Sequence, residues 1–86
     1  MSYQLIIEKR PLRFLEKLPP GMAVRLATAI DALQHQPRPP DIKALRGSLH
    51  GLYQLRVGDY RVVYDVDDQR RLARVIDIGH RSHIYG

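Results

Sequence analysis

The stretch Leu52 to Val66, LYQLRVGDYRVVYDV, decides the fold. Two runs rich in β-branched and aromatic residues meet at Gly58-Asp59, and glycine first in a two-residue loop specifies a type II′ hairpin, whose twist matches that of its strands. That loop sets the register: Val57 faces Tyr60, Arg56 faces Arg61, Leu55 faces Val62, Gln54 faces Val63 and Tyr53 faces Tyr64. One face is then apolar, with Tyr53, Leu55, Val57, Tyr60, Val62, Tyr64 and Val66, and needs a cover. The other carries Gln54, Arg56, Arg61 and Asp65. Like charges directly opposite one another destabilise a sheet by a few tenths to about 1 kcal/mol. Either Arg56 and Arg61 splay into water, or an anion belongs between them.

The cover is sought upstream. Tyr3 to Glu8, YQLIIE, reads as a first strand with Tyr3, Leu5 and Ile7 on one face. From Pro11 the spacing becomes helical through Phe14, Leu15 and Leu18, and the helix ends at Pro19-Pro20. A second helix carries Met22, Leu26, Ala29, Ile30 and Leu33 as an apolar stripe and stops before Pro37. The two form a hairpin that covers the apolar face of the sheet. Pro37-Arg38-Pro39-Pro40-Asp41 is a stiff connector, since proline removes donors and fixes φ. Lys43 and Arg46 then lie near the start of the hairpin, with Gly47 and Gly51 bracketing a loop.

Downstream of the turn at Asp67-Asp68-Gln69-Arg70, a last strand runs from about Arg71 to His80. Its large aliphatics Leu72, Ile76 and Ile78 are expected on the face of Leu55, Val62 and Tyr64, which demands an odd loop or a bulge. On that register Arg61 faces Asp77, and Arg81 projects beside Arg56 and Arg61. The polar face becomes a groove of Arg56, Arg61 and Arg81 around Val63, Val75 and Asp77, with His80, His83 and Tyr85 beside it. The fold class that follows is α+β, in the order β-α-α-β-β-β, a small antiparallel sheet with a two-helix hairpin on one face.

Composition narrows the function. A chain of 86 residues makes one domain, residues 1–86, with one modest core. No apolar run approaches 18 residues and no leader precedes the first strand, so a cytoplasmic protein without a membrane role is expected. The absence of cysteine excludes disulfides, thiol nucleophiles and thiolate metal sites. The 14 Lys and Arg against 9 Asp and Glu give +5, and eleven of the 14 are arginine, whose planar fork suits phosphate.

No Gly-rich phosphate loop, paired-carboxylate motif or Ser-His-Asp pattern is present. His80 and His83 lack a carboxylate or thiolate companion for a metal, and no cofactor is expected. What remains is phosphodiester chemistry without metal, in which an RNA 2′-OH attacks its own phosphate. Arginines hold the developing charge while a histidine or tyrosine helps with protons.

Three motifs carry a family resemblance: K-A-L-R-G at Lys43 to Gly47, G-L-Y-Q-L-R-V-G-D-Y-R-V-V-Y at Gly51 to Tyr64, and G-H-R-S-H-I-Y at Gly79 to Tyr85. With the element order, they resemble toxins of the RelE/ParE superfamily, nearest its RelE branch, over almost the whole chain. The resemblance implies a ribosome-dependent endoribonuclease that cuts messenger RNA, held inactive in a hetero-oligomer with a cognate antitoxin. It implies that Arg61 and Arg81 hold the scissile phosphate, that Arg46 contacts RNA, and that Tyr85 stacks on a base or orients the cut site; Arg56 and His80 are expected to join the catalytic group, and Lys43 and Gln54 to bind the substrate beside Arg46. Some members carry lysines in the first hairpin strand, one of them a proposed general base; here those positions are Gln54 and Arg56. Glutamine cannot take a proton and arginine is a poor base, which turns attention to His80 or to the ribosome. Two other readings stay open: a gyrase inhibitor of the ParE branch, and a catalytically weakened module that binds RNA or antitoxin.

Overall fold

The hairpin forms in the register its loop dictates. In the computed structural model, which describes residues 2–82, all five cross-strand pairs from Tyr53↔Tyr64 to Val57↔Tyr60 are in place. Gly58 opens the turn at φ 60°, a left-handed conformation that glycine adopts without a Cβ clash. The strands are β3, Tyr53–Val57, and β4, Tyr60–Asp67. Ahead of them come β1 (Gln4–Ile7), α1 (Lys9–Glu16), α2 (Pro20–Asp31) and a two-residue β2 (Lys43–Ala44); β5 (Leu72–His80) follows. The sheet order is β1-β5-β4-β3-β2.

Both helices begin and end where proline allows. Pro11 sits in the first turn of α1, where its missing N–H has no partner to lose, and Pro20 is the first residue of α2. A 3-10 turn at Ala32–Gln34 continues α2 toward Pro37. The α2 stripe performs its expected role: Leu26, Ile30 and Leu33 pack on Leu55, Val57, Val62, Tyr64, Val75 and Ile78. Leu26 and Ile30 are wholly buried, and each contributes roughly 1.5–3 kcal/mol by leaving water. Phe14, Leu15 and Leu18 of α1 flank the same core.

Two expectations about the sheet change. It is mixed rather than wholly antiparallel, because β1 runs parallel to β5, from Gln4↔Leu72 to Ile7↔Val75. The reason is where the helices return the chain. Tyr3 N–H donates to the Gln34 carbonyl at 2.7 Å, so the end of the helical segment lies beside the start of β1. The following connector is tied by Arg38 to Tyr53, the first residue of β3. Strands β1 and β3 therefore set out from the same end of the sheet. Two reversals make β5 parallel to β3, and β1, added to its outer edge, shares that direction.

The second change concerns β5. The parity conflict is resolved by a bulge inside the strand, at Val63/Tyr64 of β4. Val63 pairs with Asp77 and Tyr64 with Val75, which leaves Ile76 as the extra residue. Ile78 is inward as expected, but beyond the bulge Val75 and Ala73 are buried while Leu72 and Ile76 are only partly covered. Val75 thus belongs to the core rather than to the polar groove. Arg61 faces Gly79, not Asp77, whose carboxylate instead accepts the Ile78 N–H.

The proline-rich connector is pinned at the other end of the sheet. Arg38 makes two bonds to the Asp68 carboxylate, at 3.0 and 2.8 Å, and one to Tyr53 Oη. Tyr3 Oη also donates to Asp68, and Tyr64, fully buried, donates to the Pro37 carbonyl at 2.7 Å. The Arg38 and Tyr3 bonds hold the Asp68 carboxyl down at about 2.

Candidate functional site

The open face of the sheet is built from two cross-strand rows. Residues directly opposite one another share a face, so Lys43, Gln54, Val63 and Asp77 form one row and Arg56, Arg61 and Gly79 the next. The first row is unexpectedly closed: Gln54 is 3% exposed and Val63 is fully buried. The second stays open, with Arg56 exposed and Arg61 half-buried. Gly79 contributes no side chain opposite Arg61.

Gln54 and Arg61 meet. The Arg61 Nη1 donates to Gln54 Oε1 at 2.7 Å, on the diagonal between the two rows. This charge-assisted bond fixes one edge of the guanidinium. The Arg61 Nε is buried and has no hydrogen-bond partner. A buried donor on a charged group is costly to leave unpaired, and Arg56, exposed, is the residue directly opposite Arg61 on the neighbouring strand. Two arginines paired across strands suit an anion with several oxygens, because each guanidinium fork offers several donors. Gln54 is better described as the clamp of Arg61 than as a residue that reaches the ligand.

The other candidates are distributed around this pair. Arg81 follows β5 directly; its main-chain N–H donates to the Asp59 carbonyl in the hairpin loop at 2.8 Å, and its side chain is exposed. The backbone thus anchors Arg81 at the same sheet end as Arg56 and Arg61. Lys43 lies across from Gln54 on the edge strand. Arg46, exposed, opens the loop after β2 and accepts the Leu49 N–H through its carbonyl. Tyr85 and His83 lie outside the described residues.

His80 does not join the arginines. It pairs with Tyr60, whose face is that of Val62 and Ile78, so the imidazole is on the helix-covered side of the sheet. The rings of His80 and Tyr60 meet edge-on at 5.6 Å, and Tyr60 meets Phe14 of α1 at 5.9 Å. Nδ1 accepts the Ser82 N–H at 3.3 Å and lies 2.9 Å from Ser82 Oγ. The misplacement is one of parity: Gly79 and Arg81 alternate with His80 along the strand, so three consecutive residues cannot share a face. Among the described residues, no group of three His, Cys, Asp or Glu gathers that could hold a metal. No helix among them is long and apolar enough to cross a membrane.

Three cations of α1 and Lys17, which caps its end, form a further charged group. Lys9, Arg10, Arg13 and Lys17 line a cleft of about 590 Å³ between α1 and the end of β5, with His80 and Phe14 in its wall. Lys9, Arg13 and Lys17 recur at i, i+4 and i+8, the same period as the apolar stripe that packs α1 on the core.

Residues 5–85 match the family described as the ParE toxin of the type II toxin-antitoxin system, parDE. The toxin RelE of Mycobacterium tuberculosis is 36% identical over 84 residues, covering 96% of this chain and 86% of the relative. Among solved structures, the toxin chain of a RelBE toxin-antitoxin complex from Mycobacterium tuberculosis superposes with a TM-score of 0.84 at 28% identity, over 94% of this chain and 100% of that one. The RelE-RelB complex from Pyrococcus horikoshii gives 0.83 at 29% identity, over 98% and 100%.

Proposed function

The chain belongs to the RelE/ParE superfamily of toxins of type II toxin-antitoxin systems, and from that premise we propose that it is an endoribonuclease that cuts messenger RNA on the ribosome by metal-independent attack of a 2′-OH. The observation that carries this reading is the pair of arginines directly opposite one another on the open face, Arg61 held by Gln54 and Arg56 exposed. Arg56, Arg61 and Arg81 receive the phosphate whose charge grows as the 2′-oxygen attacks and the 5′-oxygen leaves. Preorganised donors of this kind each supply about 10² to 10³ in rate. Arg46 and Lys43 extend the contact along the RNA, and Tyr85 takes the stacking role.

The proton is handled elsewhere. Gln54 cannot accept it, Arg56 is a poor base, and His80 faces the opposite side of the sheet. We assign deprotonation of the 2′-OH to a group supplied with the message on the ribosome, which accounts for a requirement for the ribosome. His80 is a positioning residue: held by Tyr60 and Ser82, it fixes the turn that carries Arg81. The similar chains from Mycobacterium tuberculosis and Pyrococcus horikoshii occur in toxin-antitoxin complexes, and the same reading gives this chain an antitoxin partner and a cytoplasmic site of action. The ParE family match favours one competitor, poisoning of DNA gyrase without RNA cleavage. The test is cleavage of a defined message by the purified protein with and without ribosomes. Cleavage that needs ribosomes and falls about 10²- to 10³-fold in a folded Arg61→Ala variant is expected. Intact messages together with inhibited gyrase would overturn the assignment.

A further inference from the structure

The cations of the α1 cleft belong to the helix layer, whereas Arg56 and Arg61 belong to the open face of the sheet, with the end of β5 between them. Lys9, Arg13 and Lys17 are four residues apart, one stripe of a helix with about 6 Å of rise between neighbours, and Arg10 sits beside it. Like charges at this spacing repel, and Lys9 and Arg10 also stand at the positive end of the helix dipole. Neighbouring carboxylates do not relieve them. Among the described residues, none of the four makes an ion pair. Glu8, next to Lys9 in the chain, pairs instead with Arg74, and the remaining ion pairs join Arg38, Arg70 and Arg74 to Asp68, Asp67 and Asp65. Asp77 contributes one carboxylate to the cleft wall against four cations, so the cleft keeps a net positive charge. A row of unneutralised cations beside the aromatic chain Phe14–Tyr60–His80 is matched by a chain of evenly repeated charges rather than by a single small anion.

We propose that the α1 cleft is a second nucleic-acid contact, which holds the phosphate backbone of an RNA segment other than the one seated at Arg61. The proposal rests on the RNA-binding half of the proposed function and not on cleavage. A toxin with two such contacts, one in the helix layer and one at the arginine pair, is held by folded RNA at both, and the α1 contact adds affinity and orientation without touching the reacting atoms.

The test is binding of a fluorescent RNA hairpin to the purified protein across a salt series, for wild type, Arg13→Ala/Lys17→Ala and the bulkier Arg13→Gln/Lys17→Gln. Circular dichroism checks that each variant is folded; the substituted side chains are exposed, and the glutamine pair keeps the stems that pack along the helix. Each lost phosphate contact lowers the slope of log K against log salt by about 0.7 for a single strand and roughly 0.9 for a duplex. Both double variants should therefore lose about 1.4 to 1.8 in slope and bind more weakly at low salt. Unchanged slope and affinity in both would overturn the proposal. So would polyglutamate binding wild type as tightly as the hairpin while the variants keep RNA binding intact, since the cleft would then be a seat for acidic protein. A reduced slope in a protein that never cleaves messages sustains this inference and sinks the proposed activity; ribosome-dependent cleavage with an unchanged slope does the reverse.

Discussion

Replacing Gln54 by leucine tests whether the clamp on Arg61 is real. The side chain is 3% exposed and accepts one charge-assisted bond from Arg61 at 2.7 Å. Such a bond is worth about 1.5–3 kcal/mol, and its loss leaves Nη1 unpaired beside an Nε that already lacks a partner. Leucine regains part of this, roughly 1 kcal/mol, by placing apolar surface where an amide was buried. The net loss expected is about 1–2 kcal/mol, a fall in thermal midpoint of roughly 4–16 °C for a domain of this size. A double-mutant cycle with Arg61→Met isolates the pair from everything else that either side chain touches, and should give a coupling of roughly 1–2 kcal/mol. Coupling indistinguishable from zero would refute the clamp. Activity supplies an independent readout: Gln54→Glu keeps the acceptor but neutralises Arg61, so the folded variant should cleave poorly.

Three further outcomes follow from the geometry. His80→Gln should lower cleavage less than tenfold and leave both limbs of the pH-rate profile in place, since the ring is across the sheet from the arginines; loss of a limb would restore His80 as a proton carrier. Tyr64→Phe removes the bond to the Pro37 carbonyl and should cost about 1–2 kcal/mol in denaturant unfolding, with no effect on RNA binding. Asp68 has its pKa depressed on folding, to about 2, so the stability it contributes is present above the unfolded value of about 3.9 and is lost as pH falls toward 2. Acid titration of unfolding should therefore be flatter over that interval in Asp68→Asn, and an identical acid limb would count against the Arg38–Asp68 tie.

The hairpin was legible because a two-residue loop leaves one register and the alternation of side chains leaves one inward face. The helices were legible from their stripes and prolines. The parallel pairing of β1 was not, because the partners lie some 68 positions apart and nothing local specifies which edge a short strand joins. The bulge was half legible: the positions of Ile76 and Ile78 demanded a change of parity but not its place. Putting that change inside β5 rather than in the turn moved Asp77 away from Arg61 and Val75 into the core. His80 could have been placed from the sequence alone, since an alternating strand cannot present Gly79, His80 and Arg81 together. The burial of Gln54 was hidden, because its amide reads as a surface group until its partner is known.

The ion pairs gather toward the β4–β5 turn, whereas Arg56, Arg61 and the cations of the α1 cleft, none of them in an ion pair among the described residues, lie toward the hairpin tip. A large share of the unpaired positive charge therefore stands at one end of a basic molecule. In the field of a polyanion it is turned before it is touched, tip first, so that productive collisions outnumber those expected from random tumbling. Exchanging the two ends' charges, with composition and pI unchanged, would leave equilibrium solubility alone and slow capture, a difference that fades as added salt shortens the reach of the field.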